Sequence, residues 1–334
     1  MKDLTRIVSV AFILWSAAAF AQKQPEKGFH LKLVRSVELA KPQGNVDQLI
    51  ELPSGELLVR DSTYNPLEAQ AVEIYGSSGA LVRKIGSYGQ EPGHYYALKE
   101  IAFSRRQNTV WIADMMGRVS RFELSGKFLD SVLIQKPGFH PYGIALDEDH
   151  GRYYLTGCVA LQFYLDLGCK MVHEYEIATN KYIGSFAEND PDAVKLKYFS
   201  VEDYQVSVTP SGLYAIDAPM RKFWRILPDR KVESFNVPGK ALTEIPALDP
   251  TRPGPQLAQG QYLFQSISVD TRAVVISAAV KGGTNYLLEV FSLQGKPIAL
   301  DITPPGRLLG KSDRGTLWFG QRHGTKFQIA EYSY

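Results

Sequence analysis

Several familiar chemistries are ruled against by what this chain lacks. Two cysteines, Cys158 and Cys169, and six histidines, at 30, 94, 140, 150, 173 and 323, are scattered through 334 residues. No histidine sits beside either cysteine at zinc-ligand spacing, which disfavours a zinc centre. Runs of one charge sign are also missing. Lys plus Arg number 37 against 35 Asp plus Glu, and a phosphate backbone would need clustered basic residues, so nucleic acid is set aside as a partner. There is no Gly-x-Ser-x-Gly elbow, no His-Glu-x-x-His helix and no Gly-Lys-Ser loop for phosphate. Beyond the first 21 residues no apolar run is long enough to span a bilayer, and helical periodicity is nearly absent.

What is present begins with a leader. Lys2 and Arg6 supply its charge, Ile7 to Trp15 its apolar stretch, and Ala19-Phe20-Ala21 a small-x-small cleavage site. The apolar stretch, Ile7 to Ala21, falls short of the ~20 residues of a membrane span. Residues 1–21 therefore read as a signal peptide and 22–334 as a single exported domain, periplasmic or secreted, with no transmembrane segment and acting as a monomer. An oxidising compartment lets Cys158 and Cys169 join as a local disulfide. Closing a loop of that size contributes about 3 kcal/mol in the chain-entropy model. Hydrophobic residues make up 45% of the chain and charged ones 22%, which is enough apolar surface for a sizeable core.

A repeat sets the architecture. Six short apolar segments recur: Leu57–Asp61, Val110–Asp114, Tyr153–Gly157, Leu213–Asp217, Val274–Ala278 and Leu317–Gln321. Each is followed by a third strand of alternating character, such as Val72-Glu73-Ile74-Tyr75 or Leu288-Glu289-Val290-Phe291. The alternation predicts that one face of each sheet is less buried. Glycine marks the turn into a fourth strand at Gly79, Gly126 and Gly295. Units spaced roughly 40 to 60 residues apart, each a four-stranded antiparallel sheet, fit radial packing around an axis. The sixth unit ends at Tyr334 one strand short, and Leu31 to Ala40 is a strand without a unit. The fold class is thus all-β: a six-bladed β-propeller whose ring is closed by the N-terminal strand.

The segment Gly86-Ser87-Tyr88-Gly89-Gln90-Glu91-Pro92-Gly93-His94-Tyr95, leading to Ile101-Ala102-Phe103 and Trp111-Ile112-Ala113-Asp114, resembles the NHL-type repeat. The chain is similar to exported bacterial six-bladed propellers. The resemblance is clear over one blade and partial over the other five, and it implies the fold.

Asp61, Asp114 and Asp217 end the second strand in three units, where a carboxylate accepts N–H groups from the following turn. More specific are the residues opening the first strand of each unit, because first strands line the central channel. By alignment of the repeats these include Asp47, Gln48, Lys99, Glu100, His140, Tyr142, Asp203, Tyr204, Gln205, Gln265, Ser266 and Arg307. Such varied polar residues suit a ligand at the channel mouth: a small molecule, glycan or protein. They equally suit a water-filled channel that needs a polar lining. The resemblance also implies an enzymatic alternative, since lactonase-like and amidoglycolate-lyase-like propellers hold a divalent metal at the channel. Asp47, Glu100, His140 and Asp203 would then be its ligands, and calcium its best fit. Two insertions interrupt the rhythm, the apolar Cys158–Cys169 segment and the Pro- and Gly-rich Pro238–Gly260 segment.

Overall fold

A computed structural model describes residues 29–40, 46–63, 67–134, 141–157, 170–188, 205–217, 222–238, 262–280, 285–324 and 326–334. The expected signal peptide, both cysteines and all but Pro238 of the second insertion lie outside these residues, as do His140, Asp203 and Tyr204.

The described residues fold into strands, with one 3₁₀ turn at Leu67–Ala69. The first strand, β1 (Lys32–Leu39), belongs to the last blade. Blade one is β2 (Val46–Glu51), β3 (Leu57–Asp61), β4 (Ala71–Tyr75) and β5 (Leu81–Ile85). A small parallel pair follows, β6 (Ser87–Tyr88) with β7 (His94–Tyr95), built from the glycine-rich lead-in. Blade two is β8 (Leu98–Ser104), β9 (Thr109–Asp114), β10 (Arg118–Glu123) and β11 (Phe128–Leu133). Blade three is β12 (Gly143–Asp147), β13 (Arg152–Thr156), β14 (Lys170–Glu176) and β15 (Tyr182–Glu188). Blade four is β16 (Val206–Thr209), β17 (Gly212–Asp217), β18 (Lys222–Ile226) and β19 (Val232–Asn236). Blade five is β20 (Tyr262–Val269), β21 (Val274–Val280), β22 (Tyr286–Phe291) and β23 (Pro297–Ile302). Blade six is β24 (Arg307–Lys311), β25 (Leu317–His323), β26 (Lys326–Ser333) and then β1.

All six sheets are four-stranded and antiparallel, and neighbouring blades meet around a ring, which is the propeller the repeat predicts. The predicted turns into the fourth strands adopt positive φ at Gly79, Gly126 and Gly295, where a side chain would be strained. Gly295 is further constrained, because a Cβ there would lie 2.0 Å from the Phe235 ring of blade four.

The alternation of the third strands marks a less buried face in β26, where Lys326 and Gln328 are exposed beside buried Phe327 and Ile329, but not in β4. Every residue of β4 is buried, and Glu289 and Glu331 are 0% exposed. The reason is radial packing: each blade is covered on both faces by its neighbours. Each joint accordingly holds its own apolar cluster. Leu58, Ile74, Ile101 and Ile112 fill the joint of blades one and two. Trp111 meets Tyr153, with ring centroids 5.3 Å apart, in the joint of blades two and three. Phe223 and Phe291 do the same, 5.2 Å apart, between blades four and five.

Ring closure rests on β1, which runs antiparallel to β26 with Val37 opposite Ile329. A charge network seals the seam. Arg35 Nε lies 2.7 Å from Glu331 and its Nη2 2.7 Å from Glu51 of blade one. Arg314 reaches the same two carboxylates at 2.7 and 3.0 Å, and Thr316 donates its hydroxyl to Glu331. Arg35 also stacks 4.8 Å over Trp318. The described ends of the chain touch, with the Phe29 and Tyr334 rings 5.1 Å apart.

Candidate functional site

The inner strands β2, β8, β12, β16, β20 and β24 line a channel cavity of about 230 Å³. Their first residues define a mouth face and their last residues a turn face. The turn-face end is framed by Glu51, Lys311 and an Arg105–Asp313 ion pair between the hairpin turns of blades two and six.

At the mouth, one ladder position recurs in every blade, the inner-strand residue opposite Arg60, Ala113, Thr156, Ile216, Ser277 or Gly320 of the second strand. It holds Gln48, Glu100, Gly143, Gln205, Ser266 and Arg307. Four of these side chains reach across to the backbone of the next blade. Gln48 donates Nε2 to the Ile101 carbonyl at 2.8 Å and accepts the Ile101 N–H at 3.0 Å. Glu100 accepts the Ile144 N–H at 2.9 Å, and Gln205 accepts that of Ile267 at 3.1 Å. Ser266 donates to the Leu308 carbonyl at 3.2 Å. The inner strands of different blades have no ladder between them, so these bonds satisfy backbone groups that burial would otherwise leave costly.

The series stops at two places. Gly143 has no side chain to extend. Arg307 stands in the sixth blade, and its buried Nε has no hydrogen-bond partner. There the blades approach directly: a Cβ on Gly310 would lie 2.3 Å from the Leu49 carbonyl oxygen.

Three inner strands carry an extra residue at the mouth. Register shifts place Asp47, Lys99 and Gln265 as bulge residues in β2, β8 and β20. A bulge re-aims its side chain relative to the ladder. Asp47, buried, takes a hydrogen bond from Ser62 and lies 2.8 Å from Arg60 Nε, an ion pair by distance whose N–H is turned off the line to the oxygen. Lys99 Nζ sits 5.1 Å over the Tyr142 ring of blade three. For Gln265 the described part is the backbone.

Burial dominates the electrostatics. It pushes the Glu100 carboxyl up to about 8, opposed by the positive charge of Arg60 and the Ile144 N–H and assisted by Asp47. Asp114 is likewise raised by burial, although it accepts the N–H groups of Tyr96, Met116 and Arg118 at 2.9 to 3.2 Å. Asp61 accepts both the N–H and hydroxyl of Thr63. These two aspartates hold the turn after the second strand, as their repetition in sequence suggests.

The residues expected to hold a metal are partly visible. Among the described residues no group of three or more His, Cys, Asp or Glu side chains is arranged to hold an ion. Asp47 and Glu100 face the same joint but already have the partners given above. No helix among the described residues is long and apolar enough to cross a membrane.

A second cavity opens on the mouth face where blades five, six and one meet. It has a volume of about 850 Å³ and is lined by Asn285, Tyr286, Pro304, Pro305, Gly306, Arg307, Gln321 and Arg322, with Val46 and Phe327 among the apolar residues. Sequence reasoning identified Arg307 but missed the rest of this cleft. The available signal was that blade six carries Gln321-Arg322 where blades one, two and four place an aspartate.

No protein-family profile matches the sequence, and no curated protein is similar to it in sequence. Solved structures share its shape. A protein of Bacteroides fragilis described as exported matches with a TM-score of 0.60 at 12% identity, covering 91% of this chain and 95% of the other. A member of the DUF4221 family from Bacteroides vulgatus gives 0.62 at 11% identity, over 91% and 98% of the two chains. Virginiamycin B lyase from Staphylococcus aureus gives 0.55 at 12% identity, over 91% and 100%. At such identities the likeness is one of fold, and that fold is the six-bladed β-propeller.

Proposed function

We propose that this chain is an exported binding or scaffold propeller that holds a small molecule, glycan or protein on its mouth face. The observation that carries the reading is the cleft of about 850 Å³ at the junction of blades five, six and one, a volume suited to a small ligand. Within the fold class we place the chain with NHL-repeat-like exported propellers, on the glycine-rich lead-in to blade two, and locate it in the periplasm or outside the cell. Of the varied mouth residues, Arg307 then borders the bound ligand, while Lys99 and Tyr142 lie at the joint of blades two and three.

The alternative is a metal-assisted lyase or hydrolase with calcium held by Asp47, Glu100, His140 and Asp203. It requires Asp47 and Glu100 to give up Arg60, Ser62 and the Ile144 N–H, which favours the binding reading. Elemental analysis of the purified protein separates the two. Stoichiometric calcium that disappears in Asp47→Ala and Glu100→Ala would establish the metal site and displace the binding reading. For the binding reading, oligosaccharides, organic acids and dipeptides are screened by thermal shift, and hits are located by hydrogen exchange. Protection at Tyr286, Arg307 and Gln321 is expected. Protection confined to the turn face would overturn it.

A further inference from the structure

We infer that the cleft between blades five, six and one is an oxyanion site: it takes a small organic molecule through a carboxylate or phosphate group. The inference rests on the mouth-face reading and names the ligand class.

Arg307 is the first ground. It occupies the position from which Gln48, Glu100, Gln205 and Ser266 bond to the next blade. Its Nε is buried without an acceptor. That Nε is closed to solvent, and the rest of the guanidinium, which lines the cleft without an acceptor among the described residues, is the planar fork that a carboxylate or phosphate fits.

The charge of the lining is the second ground. Two arginines, Arg307 and Arg322, are joined by the amides of Asn285 and Gln321 and by Tyr286, and none of the described residues lining the cleft is a carboxylate. The nearby Asp47 is turned to Arg60 and Ser62. A concave site whose described lining carries arginines and no carboxylate concentrates anions.

The third ground is a floor fixed before any ligand arrives. Pro304 and Pro305 restrict the backbone leading into β24. Gly306 packs so closely on blade six that a Cβ would lie 2.4 Å from the Gly320 carbonyl oxygen. Gly320 in turn leaves room for Phe327, whose ring would be 2.7 Å from a Cβ there. Arg307 therefore leaves a rigid turn rather than a loose loop, which lowers the ordering cost of binding.

The test uses calorimetry on the mature protein with four probes: trigalacturonate, its full methyl ester, citrate and inorganic phosphate. At least one anionic probe is expected to bind, more weakly as salt is raised. Trigalacturonate against phosphate distinguishes an acidic sugar from a phosphate source. Arg307→Gln should weaken binding by roughly tenfold or more, with Arg307→Lys between it and wild type. Arg322→Gln at the exposed rim gives a second reading should Arg307→Gln melt early. The inference is overturned if no anionic probe binds at millimolar concentration, if the ester binds as tightly as the acid, or if neither arginine variant changes affinity. A neutral ligand that protects the cleft from exchange would sink the oxyanion class and leave the mouth-face reading standing.

Discussion

Two buried glutamates, Glu289 in blade five and Glu331 in blade six, show how little burial alone decides. Both are on third strands and both are 0% exposed. Burial acts to raise each carboxyl, yet Glu289 is pushed up to about 8 while Glu331 is held below the ordinary value of 4.5. The difference is in the partners. Glu331 receives Thr316, Arg314 and Arg35. Glu289 receives the Asp301 N–H at 3.1 Å, and its Oε1 has no partner. One glutamate is therefore a charged clasp at the seam of the ring, and the other is a neutral acid inside the joint of blades four and five.

The linkage runs in opposite directions. Glu331, depressed, contributes stability that is complete above about pH 4.5 and is lost as pH falls through its folded value. Glu289, raised, keeps its proton in the folded chain after the unfolded chain has released its own, so stability falls as pH rises from about 4.5 to about 8.

The largest effect is expected at the clasp. Glu331→Ala removes the bonds from Thr316, Arg314 and Arg35, leaving the two arginines only Glu51, and should cost about 3–5 kcal/mol in urea unfolding at neutral pH. A loss below about 1 kcal/mol would mean that β1 is held by its ladder alone. Glu289→Gln should act the other way, raising stability by roughly 2–4 kcal/mol near pH 8 and leaving it unchanged near pH 4. An equal gain at both pH values would trace the effect to packing rather than ionisation. The smallest effect tests an uncharged link. Gln48→Ala strips the Ile101 peptide of both its side-chain partners and should cost about 1–2 kcal/mol, without changing how stability varies with pH.

Much of the architecture was legible because it repeats. Six apolar second strands, the turn glycines Gly79, Gly126 and Gly295, and an orphan strand near the N-terminus suffice to propose a closed ring. Alternation in the third strands misled at Glu73, Glu289 and Glu331, which look like surface residues until a neighbouring blade covers them. The inner-strand positions of Gln48, Glu100, Gln205 and Ser266 were legible too. Their bonds were not, because each partner is a backbone group of another blade, and nothing in local sequence marks it. The cleft is hidden for a related reason: its floor depends on Gly306 and Gly320 meeting across two strands. Asp47 and Lys99 were identified as mouth residues, but the bulges that turn them appear only once strand register is known.

The pairing of β1 with β26 joins strands far apart in sequence, Arg35 and Glu331 being 296 positions apart. Until β26 has been synthesised, β1 has no partner and the Arg35–Glu331 clasp is open. The first five blades can stack in turn as they emerge, but circular closure is a single late event, and loop-closure entropy over nearly the whole chain is overcome only then. A chain shortened by even its final strand would thus expose two sheet edges at once, and would be marked for aggregation or degradation rather than left as a slightly smaller propeller.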